Sequence, residues 1–289
     1  VTNVHYLNEN LNSVWIRDYG PNNVYANDVG ELYFVDWVYN RNRPEDDASP
    51  QTIADELGIT LYESTVSPTD LVNTVCNFMS DGFGTAFASN LVMDENESVT
   101  AFNSTPKTET EVDQIMSDFM GIDRYIKMED LPYDGIHHID MHMKLLDEET
   151  LLVGEYPEGV SDGPQIEANI EYILSNFNSV FGTPYKIIRI PMPPSSGGNY
   201  PSSGSDYYTY TNSGILNKTV LVPIYGLAED DEALQIYRDA MPGYNIVGIY
   251  ANDPIQASGA IHCTSHEIAT TDPLLISHQT LDDTDSSVP

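Results

Sequence analysis

Apolar positions recur at helical spacing in four stretches, and each stretch is followed by a glycine or proline–glycine break and then a strand-like segment. The first stretch covers about Pro50 to Leu57, then Gly58 and Ile59–Tyr62. The second runs from Thr108 to Phe119, with Val112, Ile115, Met116 and Phe119 on one face, the period of an amphipathic helix. Thr108 and Glu111 have capping-box spacing at its start, Gly121 ends it, and Arg124–Ile126 follows. The third spans Pro164 to Phe181, with Ile166, Ile170, Ile173, Leu174 and Phe177 as its stripe and Pro164 at a tolerated first-turn position. Gly182 stops it before the strand Tyr185–Ile190. The fourth covers Glu229 to Ala240, with acidic residues at the end where the helix dipole favours them, then Pro242–Gly243 and Tyr244–Tyr250.

A helix–break–strand unit therefore recurs about every 55 to 65 residues, a period that marks repeated supersecondary units. Leu32–Val35, Leu151–Val153 and Thr219–Pro223 supply further strands between the units. Strands and helices alternate, so the class is α/β. No Gly-x-Gly-x-x-Gly follows a strand, which weakens a dinucleotide-binding reading. Pro191 to Gly204 reads as a loop, either a passive connection or a lid. The organisation predicted is one catalytic domain over 1–280 and an acidic tail or linker over 281–289.

Charge sharpens the picture. Forty-five acidic residues against 11 basic ones give −34 over 289 residues. Such a field repels nucleic acid and anionic membranes and attracts cationic ligands, besides keeping the protein hydrated. No apolar run approaches the ~18 residues that span a bilayer. The chain opens on Val1 without a basic-then-apolar leader, the look of a processed product. That, with scarce lysine, leans toward secretion, whereas two unpaired cysteines would suit the cytoplasm.

The candidate chemistry lies in three elements: Trp15-Ile16-Arg17-Asp18-Tyr19-Gly20-Pro21, His138-Ile139-Asp140, and Cys263. Cysteine, histidine and two carboxylates suit attack on a cationic carbon such as that of a guanidinium. Cys263 lies among Gly259, His262, Thr264 and His266, a polar setting for a reactive thiol. Cys76 lies in the apolar run Leu71–Phe78, where an inert buried thiol is the default; pairing of the two stays open. His138 and Asp140 share a face if their stretch is extended. His137, His138 and His142 invite a zinc reading, but no second ligand cluster of the usual spacing accompanies them, so acid–base work ranks above metal and His137 reads as a bystander. As a strand, the first element would put Trp15 and Arg17 opposite Ile16 and Asp18; a core tryptophan beside a structural Arg17–Asp18 pair is the plain alternative.

In these elements, taken in order, the chain resembles the guanidino-group-modifying enzymes, the pentein superfamily. Trp-x-Arg-Asp-x-Gly-Pro, a later His-x-Asp and a late Ile-His-Cys-Thr are shared by agmatine deiminases and bacterial peptidylarginine deiminases. The resemblance covers nearly the whole chain and implies a five-bladed pseudo-symmetric α/β propeller. Relatives carry a further unit before the first motif, so the expectation is that the N-terminal unit is removed here or supplied by another chain. Tyr39-Asn40-Arg41-Asn42-Arg43-Pro44 resembles the paired-arginine segment with which the Porphyromonas-type enzyme holds a C-terminal carboxylate. Arginine forks bind carboxylates bidentately, which suits a clamp; a surface pair neutralising Glu45, Asp46 and Asp47 is the alternative. Tyr210-Thr211-Asn212 resembles a family segment whose asparagine lies near the nucleophile.

The resemblance implies that Asp18 and Asp140 grip the guanidinium, Cys263 attacks its carbon, His138 shuttles protons, Asn212 orients the site and Trp15 walls the pocket. The expected activity is a peptidylarginine deiminase favouring C-terminal arginine and acting through a covalent thiouronium, with arginine-containing peptides or proteins as partners and with neither cofactor nor metal. An agmatine deiminase is the first alternative; an amidinotransferase and an idle binder of cationic peptides are others. A calcium-dependent surface protein using Asp46–Asp47 and Asp230–Asp231 ranks below them, since no EF-hand loop is present.

Overall fold

The structure is a computed structural model and describes residues 4–26, 29–102, 105–202, 207–271 and 273. It repeats one motif four times: an antiparallel strand pair, a helix, then a strand that returns parallel to the second strand of the pair. The first sheet holds β1 (Asn22–Ala26), β2 (Glu31–Tyr39) and β3 (Leu61–Ser64), with β4 (Val72–Asn73) parallel to the end of β2. The second holds β5 (Met79–Ser80), β6 (Thr85–Ser89) and β7 (Arg124–Met128). The third holds β8 (Met143–Leu145), β9 (Thr150–Glu155) and β10 (Lys186–Pro191). The fourth holds β11 (Gly214–Leu216), β12 (Thr219–Ile224) and β13 (Asn245–Tyr250). The longest helices are α1 (Ser49–Leu57), α2 (Glu109–Met120), α3 (Gly163–Asn176) and α4 (Asp230–Ala240), one in each motif.

Each helix begins within a residue of where its pattern places it. Gly58 and Gly121 cap α1 and α2 in the left-handed conformation, which a residue without Cβ adopts at no steric cost. The capping box of α2 is formed in both directions between Thr108 and Glu111. α3 ends at Asn176 rather than Phe181, because Phe177 turns extended and the Ser179 and Thr183 side chains then tie a local turn. Leu174, expected on its apolar stripe, is exposed; Asn169 is buried instead and donates to the Glu129 carbonyl.

The middle strands of the second and third sheets are buried on both faces. Every residue of β6 is buried, as are Thr150 to Gly154 of β9. One apolar cluster runs through the second, third and fourth sheets, and a second joins the first sheet to α2 through Val35, Trp37, Val112, Ile115 and Met116. Four sheets stand among the described residues against the five units that the family resemblance implies. Residues 203–206 of the expected loop and the whole 281–289 tail lie outside the described residues. Among the described residues, no helix is long and apolar enough to cross a membrane.

Met116 is fully buried in the second cluster, so Met116→Ala leaves a cavity that the neighbouring sheet cannot fill. The expected loss is about 2–5 kcal/mol, read by urea denaturation. A loss below about 1 kcal/mol would show that α2 does not carry the packing described.

Candidate active site

The candidate residues lie on the segments that enter the four motifs. Asp18 precedes β1, Cys76 precedes β5, His138 and Asp140 precede β8, and Asn212 precedes β11; Cys263 follows β13. Equivalent ends of four similar units thus converge, although the residues are far apart in sequence.

Asn212 is the hub. Its side chain is fully buried, and its Oδ1 accepts from the backbone N–H groups of Ala260 at 3.0 Å, His262 at 3.1 Å and Cys263 at 3.3 Å. Its Nδ2 donates to Asp140 Oδ2 at 2.7 Å and to Cys263 Sγ at 3.1 Å. One amide therefore fixes the backbone of the cysteine loop and sets the sulfur beside a carboxylate. Cys263 Sγ stands 3.7 Å from Asp140 Oδ2.

Asp140 sits in the 3-10 turn Ile139–Met141, so it and the extended His138 do not share a strand face as expected. Its Oδ2 also meets His262 Nδ1 at 2.7 Å. Burial holds the His262 imidazole well below its ordinary pKa, helped by Arg17 and Lys144, so this contact is a hydrogen bond with a neutral ring rather than an ion pair. Burial also raises the Asp140 carboxyl, against the pull of the Lys144 ammonium. Lys144 itself is buried, donates to the Ser213 carbonyl at 2.7 Å, and is shifted downward by burial.

Asp18 lies in the one-turn helix Ile16–Tyr19, not in a strand, because Ile16 N and Gly20 N close tight turns onto Val14 O and Ile16 O. Its carboxylate accepts from Thr74 Oγ1 at 3.1 Å and Tyr39 OH at 3.2 Å. His138 Nδ1 stands 3.9 Å from Asp18 Oδ1, beyond a hydrogen bond. Neither His138 ring nitrogen has a partner, and burial lowers its pKa to about 4 despite Asp18, so the ring is neutral at rest.

Arg17 pairs with Glu267 rather than with Asp18. Both terminal nitrogens reach the Glu267 carboxylate, and Nε donates to the Ser265 carbonyl at 2.9 Å. Burial opposes the guanidinium charge and Glu267 more than offsets it. Arg17 N also donates to Cys263 O at 3.2 Å, so the first element braces the cysteine loop directly. Trp15 lies against the same loop: a Cβ on Gly259 would come within 2.5 Å of the Trp15 ring and 3.0 Å of Cys263 Cβ. Only glycine permits that approach.

Cys76 lies inside the site. It is fully buried, as expected, but its Sγ lies 3.4 Å from Cys263 Sγ, and both cysteines are free. Ligand-type atoms of Asp18, Cys76 and His138 lie within 4.8 Å of one another, as do those of Cys76, Asp140 and His262. These two clusters, rather than His137 with His142, are where a cation could find ligands. His142 is buried with Nδ1 unpartnered, and His137 Nδ1 lies 3.9 Å from Asp130. A hydrogen bond from Cys76 lowers the Cys263 pKa, but burial, Asp140 and Asp18 outweigh it, so the thiol ends above its ordinary value.

Arg43 Nη1 donates to Tyr39 OH at 2.9 Å, linking the arginine segment to Asp18 through one phenol. Arg41 Nη1 donates to Asn40 O and lies 3.9 Å from Glu95. The acidic clusters considered for calcium are occupied by protein donors: Asp46 accepts from Asn12 N and Ser13, Asp47 from Tyr39 N, and Asp230 from Tyr210 OH and three backbone N–H groups. A cavity of about 970 Å³, lined by residues including Arg17, Phe78, Lys144, His262 and Glu267, adjoins the site from the side of His262; the lining does not include Cys263, Asp18, His138 or Asp140.

His262, Cys76, Tyr39 and Thr74 are the site residues the sequence did not single out. His262 was visible only as a neighbour of Cys263, and nothing in the local pattern linked Cys76 to it.

The sequence and fold have known relatives. A protein of Vibrio parahaemolyticus named "Putative agmatine deiminase" is 24% identical over 289 residues, covering 89% of this chain and 76% of that protein. The solved structure of C. jejuni agmatine deiminase superposes with a TM-score of 0.73 at 22% identity, over 91% of this chain and 74% of that one. That of the "Putative Arginine Deiminase" from Porphyromonas gingivalis gives 0.75 at 20% identity, over 89% and 76%. A family model for Porphyromonas-type peptidyl-arginine deiminase matches residues 1–268. The chain belongs to that family, within the pentein superfamily, and is a guanidino-group deiminase, a hydrolase of C–N bonds in linear amidines.

Proposed function

We propose that this deiminase converts the guanidinium of arginine to a ureido group in peptides, favouring arginine with a free C-terminal carboxylate. The observation that carries the choice is the chain of contacts Arg43–Tyr39–Asp18, which sets a guanidinium donor beside a carboxylate assigned to the substrate's own guanidinium. Arg41 lies on the same segment, close enough for its charge to act on His138. Two arginines there suit a carboxylate and disfavour the second cation of agmatine.

In this mechanism Asp18 and Asp140 orient the planar cation, and its charge draws the proton from the Cys263 thiol. The thiolate attacks the central carbon. His138, neutral at rest, carries the proton to the departing ammonia and then takes one from the incoming water. Collapse of the second tetrahedral intermediate restores the thiol. Asn212 and His262 hold Asp140 and the sulfur in register, and Trp15 flanks the substrate's aliphatic stem.

Agmatine is the second reading, and the names of the curated and solved relatives favour it. It fits the same chemistry without a use for Arg41 and Arg43. Partners and compartment follow from the substrate: an arginine-bearing peptide suits the expected secretion, and agmatine suits the cytoplasm.

Two outcomes are expected. Cys263→Ala abolishes ammonia release from every substrate while the thermal transition is kept; turnover in that variant would refute the nucleophile. On a panel of agmatine, free arginine, and internal and C-terminal arginine peptides, replacing both Arg41 and Arg43 by Ala lowers kcat/KM for the C-terminal peptide by about ten- to a hundredfold. The internal peptide changes little. A wild-type preference for agmatine, untouched by the double variant, would select the second reading.

The raised thiol gives a further outcome. A group raised above its ordinary value ionises only as pH climbs, so neutral iodoacetamide labels Cys263 slowly at neutral pH and faster toward alkaline pH. A haloacetamidine, which brings its own positive charge between the two carboxylates, labels it at neutral pH. Equal labelling by both reagents at neutral pH would show that a bound cation does not activate the sulfur.

A further inference from the structure

Cys76 has no part in the deimination steps above, yet it occupies the middle of the site. Its sulfur is fully buried, lies 3.4 Å from the Cys263 sulfur, and neighbours both carboxylates and both imidazoles. An inert core cysteine is surrounded by hydrocarbon; this one is surrounded by ionisable groups. A covalent S–S bond of about 2.05 Å requires the two sulfurs to close by little more than 1 Å, which side-chain rotation at either cysteine can supply. Cys76 sits in the 3-10 turn Val75–Asn77 and Cys263 in a turn-rich loop, so neither is held in a long helix or in the interior of a sheet.

We propose that Cys76 and Cys263 are a peroxide-sensitive thiol pair whose disulfide is a reversible off state. Toward alkaline pH the Cys263 thiol gives its proton to solvent, and the thiolate attacks one oxygen of hydrogen peroxide; the O–O bond breaks, leaving a sulfenic acid on Cys263 and releasing hydroxide, which the displaced proton neutralises to water. The Cys76 thiol gives its proton to a nearby base, for which unpartnered His138 is placed, and its thiolate attacks the Cys263 sulfur. The S–O bond breaks, hydroxide leaves and recovers the proton as a second water, and the disulfide remains. Two thiols and one peroxide thus give one disulfide and two waters. Peroxide is smaller than a guanidinium, so any route that admits substrate to Cys263 admits the oxidant. The disulfide removes the nucleophile and fixes the Cys76 sulfur beside Asp18 and Asp140. It also keeps the sulfenic acid from the irreversible sulfinic stage, which a single thiol would reach.

The off state rests on Cys263 being the nucleophile of the proposed deimination; formation of the bond does not. The test treats the whole chain and its Cys76→Ser variant with a small excess of hydrogen peroxide at mildly alkaline pH, then with dithiothreitol. Peptide mapping by mass and ammonia release are followed in parallel. In the wild type, a Cys76–Cys263 linked peptide appears with the loss of two hydrogens, activity is lost, and dithiothreitol restores both. In Cys76→Ser, Cys263 takes up oxygen, and activity, where the variant has any, does not return. Wild-type Cys263 that gains oxygen without a linked peptide overturns the proposal, as does a linked peptide that leaves activity intact. Should no substrate on the panel be turned over, the linked peptide in the wild type still decides whether the pair forms, so a failed substrate assignment and a failed thiol pair give different results.

Discussion

The site depends on the buried amide of Asn212. Three backbone N–H groups of the loop at 260–263 and one carboxylate oxygen find their partners on this side chain. An unmet buried polar group costs about 1–3 kcal/mol, so Asn212 is both a structural requirement and an alignment device. Aspartate there would turn the donor toward Asp140 into a repelling oxygen. Arg17 braces the same loop from its other side through Cys263 O and Glu267. Between them, the position of the sulfur is fixed by hydrogen bonds from two remote parts of the chain.

The fold supplies the convergence these bonds need. Each motif begins with a short segment entering its first strand, and those segments carry Asp18, Cys76, His138 with Asp140, and Asn212. The sheets contribute to two apolar clusters and the helices pack against them, so the entering ends sit on rigid supports. Function lies on segments that are themselves irregular but held by regular neighbours. Cys76, at the position in its motif that Asp140 holds in the next, shares that central location by the logic of the repeat.

Much of this was legible beforehand, for identifiable reasons. Thr108, Val112, Met116 and Gly121 are spaced by helix geometry alone, so the second helix could be read to within a residue or two. The first strand of each motif is two to five residues long, too short for a period-two pattern to show, so none of β1, β5, β8 and β11 stands out in the sequence. The end of α3 was misplaced because Phe177 continues the apolar spacing after the backbone has turned extended. Asp18, Asp140, Asn212 and Cys263 were found through the ordered motifs and do meet in space. The place of Cys76 in the site does not show in its apolar run, because local hydrophobicity reports burial, and a site buried at the meeting point of four motifs is flanked by apolar residues too. The Arg17–Glu267 pair joins residues 250 apart, so no local pattern could point to it.

The resting electrostatics fit a site completed by its substrate. Burial disfavours charge on Cys263, His138, His262 and Asp140 alike, and each shifts toward its neutral form. One oxygen of Asp140 and both His138 nitrogens have no hydrogen-bond partner. A planar cation reverses this arrangement at one stroke: it gives the carboxylates a counter-charge, offers N–H donors to the unpartnered oxygen, and stabilises a sulfur anion next to it. A neutral amide of the same size would leave the carboxylates without a counter-charge and the thiol protonated. In the proposed reaction, discrimination for guanidinium over neutral analogues therefore arises in the ionisation of the Cys263 thiol, before any contact with the rest of the substrate. The surface charge of −34 acts upstream of that step, raising the local concentration of cations without deciding which one reacts.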